Sequence, residues 1–472
     1  MSSPCCDILK IVADESYTKR TRIEAPAAEV FRWHERPGAL DRLTPPWENV
    51  RVIQRPESLR DGARAILEMK IGPLRKRWVA EHFDYQAGRQ FCDRQLSGPF
   101  AAWTHRHLVE PDGDDACHLI DEITYRLPGG GLGRAVGGKL TRRKIERMFA
   151  YRHAITREDI MAHQNAPKET MRILMAGSSG LVGSALVPFL EGGGHEVIRL
   201  VRGEQSEGRD DDQTRQWNPD EKKLDPAVFE GVDAVVHLGG VSIAEGRWNE
   251  QKKKAIRESR VRSTALLAET MAAMDAPPET FLCASAIGYY GDRGDERLTE
   301  ESAIGRGFLP VVCGAWEGAC EPARRKGIRV VNTRLGMILS PKGGALEKML
   351  LPFKLGGGGV VGSGRQYWSW IALDDVVRSM HFLLNENSLD GAVNLTAPNP
   401  VTNREFTKVF GKVLGRPTIL PVPKFAARIA LGEMADALLL ASARVEPARL
   451  RDAGYEFRFR DLESALRHLL GR

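Results

Sequence analysis

The 472 residues carry a formal net charge of +6 from 68 basic and 62 acidic side chains, and 42% of them are hydrophobic. Near-balanced charge argues against a dedicated nucleic-acid face, and the length exceeds one ordinary core, so two or three domains are expected. No apolar run approaches the roughly 18 residues of a membrane span, and seven cysteines without CxxC or ligand-like spacing suit a reducing cytoplasm better than a disulfide framework.

Residues 1–15 read as a leader without assigned function. From 16 to 154 the pattern is strand-rich. A strand at Tyr17–Ile23 precedes a short helix with Val30, Phe31 and Trp33, then come alternating runs near 50–53, 63–71, 77–83, 90–96, 104–109 and 118–127, and a helix from about Leu140 to Arg152. One short helix, a run of antiparallel strands and a closing helix make an α+β sheet wrapped on a helix. The aromatics Trp33, Trp47, Trp78, Phe83, Phe100 and Trp103 line a cavity or, more plainly, fill a core. His105 and His107 alternate along one strand and share a face. With no cysteine nearby and no third ligand defined, no metal site is expected, and the domain shows no catalytic constellation. The polar, proline-bearing stretch 155–170 reads as a linker.

At Met171 the pattern changes. An apolar run at Ile173–Ala176 breaks into Gly177, Ser178, Ser179, Gly180, Leu181, Val182 and Gly183, then into an amphipathic segment, then into a second apolar run at Val197–Val201. Strand, glycine turn, helix and strand in that register are a nucleotide-binding βαβ unit. Gly177 allows the tight turn, Gly180 lets backbone approach a pyrophosphate, and Gly183 lets helix pack on strand. The helix amides and dipole then face phosphate. The second strand ends in Arg202 and Gly203, with no acid before Glu204. An acid there binds the 2′-hydroxyl of NAD, whereas arginine accommodates the 2′-phosphate of NADP, so NADP is favoured over the plainer role of Arg202 as a solvated cation.

An acidic loop, 204–212, follows, and then strands and helices alternate: strand 233–238 ending at Leu238, Gly239 and Gly240, helix 249–274, strand 280–286, the loop Ile287–Asp292, helix 309–325 and strand 329–335. This is α/β, a doubly wound parallel Rossmann sheet, over 171–395, with a further segment at 396–472.

Two resemblances extend this reading. The element order at 16–154, with the opening pattern Ala25-Pro26-Ala27-Ala28-Glu29-Val30-Phe31, resembles the START-like, or polyketide-cyclase-like, helix-grip fold, which implies an apolar small-molecule cavity. The glycine turn, Leu238-Gly239-Gly240, Ser285–Gly291, Arg334-Leu335-Gly336, Gly362–Arg365 and Leu414–Pro417 resemble the atypical epimerase family of extended short-chain dehydrogenases/reductases, of the 39U type. That resemblance implies an NADP-dependent oxidoreductase in which Arg202, Gly203, Leu238, Gly239 and Arg260 contact NADP. Arg365, after a glycine-rich run read as a mobile loop over a cleft, is a candidate anion-binding residue for substrate.

The usual proton-transfer pair is missing. Tyr-x-x-x-Lys occurs nowhere in the chain, and the corresponding helix carries Val312 and Trp316 in the aligned positions. Ser285 is then expected to orient a carbonyl, with Tyr289 or Tyr290 as substitute proton donor. The alternatives are a non-catalytic NADP(H)-binding sensor or scaffold and a nucleotide-sugar epimerase, the latter opposed by the missing pair.

Overall fold

A computed structural model describes residues 14–72, 74–167, 170–203 and 213–472. Most of the expected leader and the acidic loop 204–212 lie outside the described residues. The chain divides into two compact units at His163/Gln164.

The first unit runs β1 (Glu15–Ile23), α1 (Ala27–Glu35), α2 (Ala39–Arg42), β2 (Val50–Gln54), β3 (Arg64–Ile71), β4 (Leu74–Gln86), β5 (Gln90–Ser97), β6 (Ala102–Pro111), β7 (Cys117–Arg126) and α3 (Gly130–Gln164). Its seven strands form one sheet in the order β1-β7-β6-β5-β4-β3-β2. Neighbours are antiparallel, so β2 to β7 form a meander that β1 closes against β7. Alternation sets the faces: Cys117, Leu119, Asp121, Ile123 and Tyr125 of β7 are all buried. Register slips at Val79/Ala80 and Phe83/Gln86 between β4 and β5 are bulges that bend the sheet. Helix α3 buries Ile145, Phe149, Ile155 and Ile160, completing the expected α+β helix-grip arrangement. Most of the aromatics are core: Trp33 and Trp103 are buried, and Trp78 and Phe100 pack on Trp103 with ring centroids at 5.1 and 4.9 Å.

The stretch 155–164, read from sequence as linker, is the last part of α3. Its polar appearance hid a buried helical face. Arg42 donates to both carboxylate oxygens of Asp159 at 2.6 and 2.7 Å, and this fork lets a charged residue occupy an interior position.

The second unit runs β8 (Arg172–Ala176), α4 (Gly183–Gly192), β9 (Glu196–Arg202), β10 (Thr214–Trp217), β11 (Ala234–His237), α5 (Glu250–Ala272), β12 (Thr280–Ala286), α6 (Phe308–Gly318), α7 (Glu321–Arg325), β13 (Arg329–Leu335), α8 (Gly344–Lys354), α9 (Leu373–Asn385), β14 (Gly391–Leu395), α10 (Asn403–Leu414) and α11 (Leu462–Leu470). The main sheet is parallel, ordered β10-β9-β8-β11-β12-β13-β14. The chain winds outward from β8 through β9 to β10, then returns to β11 and winds the other way. The carboxyl ends of β8 and β11 therefore mark the switch point where such sheets bind ligand.

Ile173–Ala176 and Ala234–His237 are buried throughout, as expected of strands covered on both faces. The expected helix 309–325 is two helices, α6 and α7, with Pro322 at the start of the second, a position where its missing N–H costs no helical bond. Residues beyond 395 share a core with the sheet unit, because Phe406, Phe410 and Leu466 cluster with Leu339 and Trp370. A capping box between Thr402 and Glu405 starts α10, and Gly415 at φ +63° ends it.

Candidate functional site

The glycine turn bridges β8 and α4 at the switch point. Gly177 has φ +88°, and a Cβ built there would lie 2.7 Å from the Gly239 backbone nitrogen. A Cβ on Gly183 would lie 2.2 Å from the Gly177 carbonyl oxygen. Both positions exclude a side chain, so the turn after β8 seats directly on the turn after β11. Gly180 differs, since its Cβ would meet nothing closer than 3.5 Å, and the residue is exposed together with Ser179. Ser178 and Leu181 are half-buried and Val182 is buried. No side chain caps the start of α4; the N–H groups of Ser184, Ala185 and Leu186 donate to the carbonyls of Gly180 and Val182 within the turn, and the positive end of the helix dipole lies at the cradle.

Two guanidiniums flank the Leu238-Gly239-Gly240 turn. Arg202, exposed at the end of β9, lies over the Trp217 ring at 6.0 Å, and its Nη2 comes within 3.7 Å of the Cβ position of Gly239. Gly203 beside it takes φ +64°. Arg260, on α5, lies over the Trp316 ring at 5.0 Å, and its Nη1 donates to the carbonyls of Val241 and Ile256 at 3.0 and 2.9 Å. Gly240 leaves room for it, because a Cβ there would sit 2.9 Å from its Cζ. Among the described residues neither guanidinium is paired with a carboxylate. His237, buried below them with Nε2 2.8 Å from Ser263 Oγ, is held neutral: burial first, then the charges of Arg202 and Arg260, push its pKa down to about 3. The site is thus electropositive at the nucleotide end, as phosphate binding needs.

The sheet's other half holds a hydrogen-bond chain that the sequence did not reveal as a unit. Ser285 Oγ, at the end of β12, donates to Glu317 Oε1 at 2.6 Å. Arg334, the register partner of Ser285 on β13, grips Glu317 in a fork at 2.9 Å through both Nε and Nη2. Its Nη1 donates to the Tyr290 hydroxyl at 2.9 Å, which in turn donates to Asn394 Oδ1 at 2.7 Å. Burial opposes the Arg334 charge, but the Glu317 carboxylate and Tyr290 outweigh it and the guanidinium is held charged. Tyr290 is fully buried, and its pKa is pushed up to about 12, burial outweighing Arg334. Tyr289 is half-buried, with the Arg334 guanidinium against its ring at 3.4 Å.

Helix α6 presents Cys313 and Glu317 to the end of β12, Cys313 Sγ lying 3.7 Å from the Ala286 carbonyl oxygen. Val312 and Trp316 are buried instead, with Trp316 Nε1 donating to Thr264 at 3.0 Å. The facing pair is therefore one residue later than the aligned one. An i, i+4 search from Ser285's end of the sheet is the signal that finds Glu317.

The glycine-rich run before Arg365 is packed and hydrogen-bonded, against the expectation of a mobile loop. A Cβ on Gly359 would lie 1.4 Å from the Leu420 carbonyl oxygen, Gly362 N–H donates to Val422 O at 2.9 Å, and Val361 N–H donates to Asn403 at 2.8 Å. Glycine there permits close backbone packing. Arg365 is exposed at the end of this turn, its N–H donating to Ser363 at 3.2 Å.

Comparison with known proteins assigns these parts. The NAD-dependent epimerase/dehydratase family matches residues 173–395, the polyketide cyclase/dehydrase and lipid transport family matches 23–149, and a domain of unknown function matches 422–469. An epimerase family protein of Mycobacterium tuberculosis is 44% identical over 294 residues, 62% of this chain and 96% of that protein. The human epimerase family protein SDR39U1 is 33% identical over 305 residues, 64% of this chain and 100% of that protein. A structure of the human protein described as containing NADPH superposes with a TM-score of 0.57 at 31% identity, over 64% of this chain and 99% of that one. A Corynebacterium glutamicum structure described as a nucleoside-diphosphate sugar epimerase reaches a TM-score of 0.79 at 35% identity, over 96% of this chain and 90% of that one. With its glycine cradle and Ser285 network on a Rossmann sheet behind a polyketide-cyclase-like unit, the chain belongs to the SDR39U1-type epimerase family.

Proposed function

We propose that the second unit binds NADP(H) and acts as an oxidoreductase, the first unit capturing an apolar small molecule. The observation that carries the cofactor reading is the pair of guanidiniums, Arg202 and Arg260, beside the glycine cradle with no carboxylate partner among the described residues. Gly177, Ser178, Gly180, Leu181, Val182 and Gly183, at the N-terminal end of α4, would hold the pyrophosphate, and Leu238 and Gly239 would floor it. Arg202 with Gly203 and Arg260 would take the 2′-phosphate end. A bound nicotinamide supplies hydride exchange with a carbonyl or alcohol carbon.

Ser285 orients a carbonyl by turning its hydroxyl from Glu317, which Arg334 keeps fixed. Tyr289 is assigned as proton donor, whereas the buried Tyr290, bonded to Arg334 and Asn394, fixes Arg334 and lacks access. Arg365 is assigned to an anionic group of substrate. The test is NADPH absorbance over a panel of carbonyl compounds with parent, Tyr289→Phe and Tyr290→Phe proteins. Turnover by the parent that Tyr289→Phe abolishes supports the assignment, and equal turnover by all three refutes it.

The absence of Tyr-x-x-x-Lys, together with the engaged Tyr290 hydroxyl, favours one second reading, an NADP(H)-binding sensor. It requires NADPH binding without oxidation by any member of the panel.

A further inference from the structure

We propose that the first unit carries a divalent metal site with Asp93, His105 and His107 as ligands and Asp121 as the carboxylate that orients both imidazoles. This does not depend on the nucleotide site. Asp93 on β5 is the register partner of His105 on β6, and His107 is the partner of Asp121 on β7. Four chemically active side chains on three neighbouring strands therefore share one face.

Asp93 Oδ2 lies 3.0 Å from His105 Nδ1 and 3.7 Å from His107 Nε2, and one ligand atom from each of the three lies within 4.8 Å of the other two. Tetrahedral neighbours around an ion with bonds of ~2.0–2.1 Å stand about 3.3 Å apart, between the two separations found. On the far side of the rings, Asp121 Oδ1 is 3.2 Å from His105 Nε2 and 2.8 Å from His107 Nδ1. Its Oδ2 takes His153 Nε2 at 2.9 Å, and His153 Nδ1 meets Thr21 Oγ1 at 2.8 Å. With each ring proton on the Asp121 side, the lone pairs of both histidines face Asp93. A carboxylate behind each histidine is the usual support of a metal-bound imidazole.

His105 Nε2, His107 Nδ1 and Asp121 Oδ1 are buried on the side of the rings away from Asp93, so bulk water does not compete with Asp121 for the two imidazoles. Phe91 stacks on His107 at 4.1 Å and Phe149 meets His105 edge-on at 5.0 Å, keeping bulk water from the rings. Asp93 retains 15% of its side-chain exposure, so an ion enters past it. Two imidazoles select a zinc-like transition ion over calcium or magnesium, which prefer oxygen. Three protein ligands leave a fourth position for water or a ligand atom.

The test loads the full chain with Zn²⁺ or Co²⁺, removes excess by dialysis, and measures bound metal by mass spectrometry and cobalt d–d absorbance. One equivalent is expected, with affinity falling about 100-fold in Asp93→Asn and His107→Gln and about 10- to 100-fold in Asp121→Asn, circular dichroism verifying each fold. Where a variant fails to fold, X-ray absorption of the loaded parent decides: two imidazole nitrogens with oxygen support the site. No retained metal in the folded parent, equal affinity in the folded variants, or a spectrum without imidazole overturns it and leaves a metal-free ion-pair cluster.

Discussion

Arg202 and His237 show how single residues tie the nucleotide site together. Reversing Arg202 to Glu replaces an attraction for phosphate with a repulsion at a position beside Gly239. NADPH affinity by calorimetry should fall by about two orders of magnitude, while NADH, lacking the 2′-phosphate, should lose little. A matching loss for both cofactors would place Arg202 outside the 2′-phosphate position. His237 gives the pH dependence. Its folded pKa, about 3, lies below the unfolded value near 6.5, so the unfolded state binds the proton first. The stability that neutral His237 supports is complete above pH 6.5 and is lost as pH falls from there toward about 3. Urea unfolding across that window should show a shallower loss in His237→Gln than in the parent.

At the scale of elements, the two glycines of the βαβ turn separate folding from binding. Gly183→Ala forces a Cβ against the Gly177 carbonyl, and thermal or urea unfolding should show a destabilisation of about 1–3 kcal/mol. Gly180→Ala meets only ordinary contacts, so stability should hold while, on the proposed cofactor placement, NADPH binding weakens because the new methyl group would stand where the phosphates approach. The spacing of these glycines was legible because one register requirement, strand to turn to helix, fixes all of them. Helix α3 was legible only in its middle. Its last part reads polar until Arg42, 117 residues earlier, is brought to Asp159. Ser285 was found by its motif, but Glu317 was not, since its role comes from a helix face turned toward a strand end.

Each unit buries its own hydrophobic clusters, the first between the antiparallel sheet and its helices, the second around the parallel sheet and the helices after it. Calorimetry should therefore show two transitions, with NADPH raising the midpoint of one and zinc, if the site in the first unit holds it, raising that of the other. The polyketide cyclase match lies on the first unit, and the epimerase match and the domain of unknown function lie on the second. Among the described residues no helix is long and apolar enough to cross a membrane.

The sequence by itself determined both fold classes and the glycine turn, because periodicity and turn chemistry act over a few neighbouring residues. The tertiary structure decided what depends on distant strands meeting. It set Asp93 opposite His105 and Asp121 opposite His107, joined Ser285 to Glu317 and Arg334, and buried Tyr290 beneath them. These contacts are fixed by sheet register and helix facing, which local sequence spacing does not encode.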